Sequence, residues 1–287
     1  LARFAYVNGR YVPHREAAVH IEDRGYQFSD GVYEVIAVEN GRLLDEDLHT
    51  VRLARSLREL AIRSPMSDRA LGLVMRELLR RNGVRDGTIY LQVTRGVAER
   101  DHAFPAADVA PAVIMVARRA KPKDPAVLDH GVRVITVPDI RWKRRDIKSI
   151  SLLPNTLAKQ RAKEAGAYEA WQIDEDGLIT EGTATNAWIV TSEDKLITRP
   201  ATEDILNGCT RQALLTLAAE AGLELVERPF SLLEALAARE AFLTSTTNFV
   251  VPIVRIDESP VGSGEPGPYA RRLRALYEAR AAAQTAA

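Results

Sequence analysis

Cysteine is almost missing from this chain: Cys209 is the only one in 287 residues. No intramolecular disulfide and no multi-cysteine metal site can be built from it, and a reducing, cytoplasmic compartment is expected. Lysine is scarce too, with seven among 39 basic residues: Lys121, Lys123, Lys143, Lys148, Lys159, Lys163 and Lys195. Neither sign of charge is in excess, because 39 basic residues face 39 acidic ones. A dedicated nucleic-acid binder would carry a basic surplus, although a local basic pocket stays allowed. No apolar run approaches the ~20 residues of a membrane span, and Leu1 to Phe4 begins no signal-peptide apolar region. The chain opens on Leu1 rather than methionine, so a trimmed start is expected.

What is present is ordinary for a globular protein: 46% apolar and 27% charged residues. The length favours two domains. Asn8-Gly9 between Phe4–Val7 and Arg10–Val12 predicts a tight hairpin, as does Asn40-Gly41 between Val32–Val38 and Arg42–Leu44. From Asp45 the apolar period becomes helical, with Leu53, Leu57, Leu60 and Ala61 on one face and Pro65 as the stop. Ser67 is placed to cap a second helix that ends at Asn82-Gly83. Strands at Thr88–Arg95 and Ala112–Val116 complete an α+β unit over residues 1–118. Residues 119–130, with Pro122 and Pro125, read as a linker. Residues 131–287 form a larger domain of alternating strands and helices that closes on an Ala/Arg-rich helix from Pro268.

One motif is rejected. Gly262-Ser263-Gly264-Glu265-Pro266-Gly267 matches G-x-G-x-x-G, but no second parallel strand can follow so near the chain end. A Gly/Pro surface loop is expected there. No P-loop and no H-E-x-x-H pattern occurs, so neither a P-loop ATPase nor a zincin is supported.

Four segments suggest chemistry, and each also has an ordinary reading. Lys148, in Asp146-Ile147-Lys148-Ser149, follows a strand and precedes a helix. A free lysine, with a pKa of ~10.4, is protonated at neutral pH, so a nucleophilic one needs desolvation, nearby cations or a covalent partner. Lys143, Arg144 and Arg145 are candidates for those cations; alternatively Lys148 is a solvated loop residue. Glu181 precedes a Gly182 turn rich in hydroxyls, which fits either a cationic heterocycle or a polar turn. Asn207-Gly208-Cys209-Thr210-Arg211 opens a helix, which makes either a phosphate site or a plain cap at Thr210. Thr244 to Asn248 places hydroxyls at a strand end.

Together these segments resemble the fold-type IV pyridoxal-phosphate (PLP) enzymes, and among them the D-amino-acid aminotransferases. The resemblance runs over nearly the whole chain and includes Ile21 to Phe28, Asp30 to Val35, and Leu157-Ala158-Lys159-Gln160. It implies a two-domain α+β fold with PLP between the domains. It implies that Lys148 carries PLP covalently and moves the proton at the substrate Cα, and that Glu181 faces the pyridine nitrogen. Arg52 would bind the phosphate bidentately, joined by Cys209, Thr210, Ser245 and Thr246, with Leu206 against the ring. Family members usually carry a branched aliphatic residue where this chain has Cys209.

The substrate would be a D-amino acid such as D-alanine, with a 2-oxo acid such as 2-oxoglutarate as acceptor, in a ping-pong exchange. Tyr33, Val35, Arg100 and His102 would line its site. Arg100 and His102, two apart, point the same way if extended, and would reach the partner's site in a homodimer. No nucleic acid, membrane or metal is implied. Same-fold alternatives are a transaminase of branched L-amino acids or (R)-amines, and a PLP-dependent lyase. His14, His20, His49 and His130 receive no role.

Overall fold

A computed structural model describes residues 3–121 and 124–286, so Pro122 of the expected linker, Lys123 and the first two residues lie outside the described residues. The chain divides into two compact units. The first holds residues up to Lys121, together with Ile147–Ser151 and the chain end from Ala283. The second holds the stretch up to Asp146 and then Leu152–Ala282. Lys148 therefore belongs to the first unit, which chain order did not suggest.

In the first unit β1 (Phe4–Val7) and β2 (Arg10–Pro13) form the first hairpin. A short helix α1 (Arg24–Phe28), not expected from the sequence, precedes β3 (Gly31–Glu39) and β4 (Arg42–Leu43). Both Asn-Gly turns place their two residues at positive φ, the backbone a two-residue hairpin requires. Helices α2 (Glu46–Glu59) and α3 (Asp68–Asn82) follow, then β5 (Gly87–Thr94) and β6 (Ala112–Arg119). The six strands make one antiparallel sheet in the order β2-β1-β6-β5-β3-β4. Ser67 caps α3 by accepting the Ala70 amide, and Gly83 ends it in the left-handed conformation. Met75, Leu78, Ile89, Leu91 and Met115 are buried in one core.

One expectation about α2 fails in an informative way. The helix ends at Glu59 rather than running toward Pro65, and Ala61 is exposed at positive φ. The buried stripe instead extends toward the N-terminus as His49, Arg52, Leu53, Ser56 and Leu57. That is the i, i+3, i+4, i+7, i+8 pattern of a packed face, with three polar residues on it.

In the second unit α4 (Pro125–Asp129), a short helix inside the expected linker, leads to β7 (Val132–Pro138). Helix α5 (Leu153–Glu164), β8 (Glu169–Ile173), β9 (Ile179–Gly182), β10 (Asn186–Val190) and β11 (Leu196–Thr198) come next. They are followed by α6 (Cys209–Glu220), β12 (Leu225–Glu227), α7 (Leu232–Leu236), β13 (Glu240–Ser245), β14 (Phe249–Ile256), β15 (Ser259–Pro260) and α8 (Pro268–Thr285). The mixed sheet runs β12-β11-β10-β13-β14-β7-β8-β9, with β15 paired to β14. Its core includes Trp171, whose ring meets Phe230 edge-on at 6.2 Å. The rejected glycine motif is a turn before α8, and the Glu240 carboxylate already accepts the Tyr269 and Ala270 amides at the start of that helix. Two of the first N–H groups of α8 are therefore already taken.

Candidate active site

Lys148 sits in an irregular segment, yet its backbone is held as if in a sheet. Tyr33 N–H donates to the Lys148 carbonyl at 3.0 Å, and Ile150 N–H donates to Gly31 at 3.1 Å. Val32 and Ser149 form an antiparallel bridge between these bonds. The Lys148 amide donates to Ser56 Oγ at 3.3 Å, tying the segment to the polar stripe of α2. The side chain places Nζ 4.1 Å from the centroid of the Tyr33 ring, a cation–π distance. Tyr33 in turn stacks on Tyr90 at 5.8 Å. Strand alternation puts Val35 on the Tyr33 side of β3 and Glu34 on the other.

Lys143, Arg144 and Arg145, expected as helpers of Lys148, are engaged elsewhere. Lys143 pairs with Glu175, Arg144 with Asp146, and Arg145 with Asp139.

Arg52 is buried, not an exposed helix arginine. Its Nε and Nη2 donate to Glu34 Oε1 and Oε2 at 2.8 and 2.7 Å. The planar fork serves one carboxylate or phosphate along each edge, and the Nε–Nη2 edge is given to Glu34. His49 Nδ1 lies 2.7 Å from Glu34 Oε2; an ionised carboxylate only accepts, so this nitrogen carries the proton. Burial would raise the Glu34 pKa, but the charge and hydrogen bonds of Arg52, with His49, outweigh it and hold it at about 2. Burial depresses the His49 pKa despite the pull of Glu34. Sequence reasoning missed both residues. The signal was there for His49, which lies in phase with Arg52, Leu53 and Leu57 on one helix face.

Arg100 and His102 stand in bends rather than in an extended run, so strand alternation does not align them. They are still brought together, because both lie against Phe28. The Arg100 guanidinium is 5.1 Å from that ring's centroid and the His102 ring is 5.4 Å away.

In the second unit Glu181 lies on β9, which ends at Gly182 before a bend, and it is buried. It accepts from Arg141 Nη1, from Asn186 Nδ2 at 3.0 Å and from the Leu206 amide at 3.2 Å. Asp139 grips Arg141 and Arg145 behind it. Burial raises the Glu181 pKa in spite of Arg141 and the Leu206 amide, and Asp139 adds to the rise. Three donors serve a carboxylate that can accept roughly four, with the Leu206 amide shared between both oxygens at 3.2 Å, so one further donor can be accepted. Leu206 thus holds Glu181 through its backbone, and its carbonyl accepts from Asn186 at 2.9 Å.

Helix α6 starts at Cys209 with Gly208 as its N-cap, not Thr210. A side chain at 208 would run into Asn186 Oδ1, which is why glycine stands there. Thr210 Oγ1 is buried without a hydrogen-bond partner. An orphaned hydroxyl on the first turn of a helix, where the dipole is positive, suits an anion such as a phosphate. Asn186 is the register partner of Thr244, so Ser245 and Thr246 lie one and two residues beyond it, at the end of β13. Within the second unit a buried carboxylate with acceptor capacity and an orphaned hydroxyl at a helix N-terminus are groups that suit PLP, and within the first unit a lysine is fixed by its backbone.

Comparison with known proteins agrees with this chemistry. The T.th. branched-chain amino acid aminotransferase, solved with pyridoxamine 5'-phosphate, is 27% identical to this chain with a TM-score of 0.88, covering 99% of this chain and 95% of that one. The fold is thus that of a PLP-dependent aminotransferase. The sequence pattern of amino-transferase class IV matches residues 31–256, and the chain belongs to that family. A D-alanine aminotransferase of Bacillus licheniformis is 43% identical over 279 residues, 97% of each chain. One from Staphylococcus aureus (strain COL) is 38% identical over 274 residues, covering 95% of this chain and 96% of its own.

Proposed function

We propose that this protein transfers the amino group of a D-amino acid such as D-alanine to a 2-oxo acid such as 2-oxoglutarate, using PLP. The observation that carries the reading is the fixed placement of Lys148 over Tyr33, in a chain 43% identical along 97% of its length to a D-alanine aminotransferase. PLP, when bound, supplies the electron sink that lets the substrate Cα lose and regain a proton. Lys148 binds the cofactor and moves that proton. Glu181 would face the ring nitrogen with its remaining acceptor capacity, and Leu206 would lie against the ring. Thr210 Oγ1, the first amides of α6 at Cys209 and Thr210, Arg52, Ser245 and Thr246 would hold the phosphate. The aliphatic residue usual at position 209 is replaced here by Cys209, which a backbone contact tolerates.

Tyr33, Arg100 and His102 bind the substrate carboxylate, and Val35 borders the side-chain pocket. The two half-reactions proceed in turn, the first oxo acid leaving before the second enters. The working form is a homodimer in the cytoplasm, with Arg100 and His102 serving the partner's site. Among the described residues no helix is long and apolar enough to cross a membrane.

Two assays test the reading. Borohydride reduction of the PLP-loaded protein should fix the cofactor to the peptide containing Lys148, and the protein should form pyruvate from D-alanine and 2-oxoglutarate. A label on another lysine removes the assignment of Lys148. The similarity to the T.th. branched-chain enzyme supports one rival, an L-amino-acid transaminase, which predicts turnover with L-leucine and none with D-alanine.

A further inference from the structure

The loop that bears Arg100 and His102 is held by a polar brace that the reaction chemistry does not require. Asp30 is clasped by two arginines: Arg24 Nε at 2.9 Å, and Arg95 through Nε at 2.7 Å and Nη2 at 3.0 Å. Arg24 then reaches into the loop. Its Nη1 donates to the carbonyl of Asp101, the residue between Arg100 and His102, at 2.6 Å. The same guanidinium lies 4.8 Å from the centroid of the Phe28 ring, the ring that Arg100 and His102 also approach. The backbone supports this: Arg24 N–H donates to Gly96, and Asp23 bridges Val97. Arg24 is buried, with its side chain 4% exposed, whereas Arg100 and His102 are exposed.

Two exposed side chains on a bent loop would sample many orientations unless something fixed them. A buried guanidinium that grips the backbone between them and shares their aromatic platform limits that freedom. Arg95 anchors the other side of Asp30, donating to the carbonyls of Leu60 and Ala61 after α2 and lying 3.6 Å from the Phe104 ring centroid. Both ends of the brace thus rest on ordered structure.

We infer that Arg24, together with Phe28, is the positioning element that orients Arg100 and His102 for recognition of the substrate carboxylate. The inference rests on the reading of Arg100 and His102 as carboxylate ligands. A lysine at position 24 keeps the charge, but as a single ammonium it cannot hold Asp30 and Asp101 while stacking on the ring. A leucine at position 28 keeps the apolar volume and removes the platform.

The test uses the PLP-loaded protein with Arg24→Lys, Phe28→Leu, Phe28→Tyr and Arg100→Met, measuring KM and kcat separately for D-alanine and for 2-oxoglutarate. Arg24→Lys and Phe28→Leu should raise both KM values about ten-fold with kcat within about two-fold, the pattern of lost binding without lost chemistry. Phe28→Tyr should behave as the parent. The visible spectrum of the bound cofactor should be unchanged in all four, which excludes general disruption. Phe28→Leu combined with Arg100→Met should add little to Arg100→Met alone, because both act on one contact. If Arg100→Met raises KM while Phe28→Leu and Arg24→Lys do not, the brace is overturned and the carboxylate reading stands. If Arg100→Met leaves KM unchanged, the carboxylate reading falls and the brace falls with it.

Discussion

Glu34 holds Arg52 by two parallel hydrogen bonds of 2.8 and 2.7 Å, in an interior where neither side chain is more than 7% exposed. The carboxylate comes from β3 and the guanidinium from α2, so the pair locks the helix that bears Ser56 to the strand that bears Tyr33. Removing one member of a buried pair takes the counter-charge from the other. Glu34→Ala should cost about 3 kcal/mol of stability and weaken PLP binding, because Arg52 loses its fixed orientation. Urea unfolding and cofactor titration check both effects.

The same cluster sets a pH dependence with two stages. His49 is depressed below 6.5 by burial, so the unfolded chain takes up a proton first and stability begins to fall as pH drops below about 6.5. Glu34 is depressed from 4.5 to about 2 by Arg52 and His49 against burial. Its contribution is complete above about pH 4.5 and disappears between about 4.5 and 2, for a total of ~3 kcal/mol. Urea midpoints measured from pH 7.5 to 3 should fall in both windows. Glu34→Gln should flatten the lower one, and an unchanged lower stage in that variant contradicts the assignment.

Thr210 gives a cleaner separation of binding from stability. Its hydroxyl is buried and has no partner, so Thr210→Val should leave the stability of the PLP-free protein unchanged or slightly raised. Affinity for PLP should fall about ten-fold or more, the worth of a hydrogen bond to a charged group. Equal affinity in parent and variant would remove Thr210 from the phosphate site.

Glu181→Gln retains shape and removes charge. The variant should bind PLP yet lose about 100-fold or more in kcat, as when one preorganised electrostatic group is removed. Steady-state rates at saturating D-alanine and 2-oxoglutarate check it, with the cofactor absorbance confirming occupancy.

Local signals were readable in the sequence. The hairpins at Asn8-Gly9 and Asn40-Gly41 and the helix bounded by Ser67 and Gly83 are dictated by a few adjacent residues, and the structure has them. The end of α2 was not readable, because Leu60 and Ala61 continue the apolar period while the backbone turns to positive φ at Ala61. The short helix α1 also escaped, since Arg24–Phe28 is too brief to show a period. At the site, residue types and motif order suggested Lys148, Glu181 and the α6 terminus. Their surroundings did not emerge, because Glu34 on β3 meets Arg52 on α2, and Glu181 on β9 meets Arg141 in the loop after β7, only once the chain is folded. Arg52 shows the cost: only the family resemblance gave it a phosphate role, and nothing in the chain order showed that its Nε–Nη2 edge meets Glu34 in the fold.

The central claim, PLP chemistry on D-amino acids, is tested most directly by the visible spectrum of the purified, PLP-loaded protein. D-alanine should bleach the absorption band of the lysine-bound cofactor, and 2-oxoglutarate should restore it, while L-alanine leaves it unchanged. A band that D-alanine does not alter, or one that L-alanine bleaches equally well, would contradict the account.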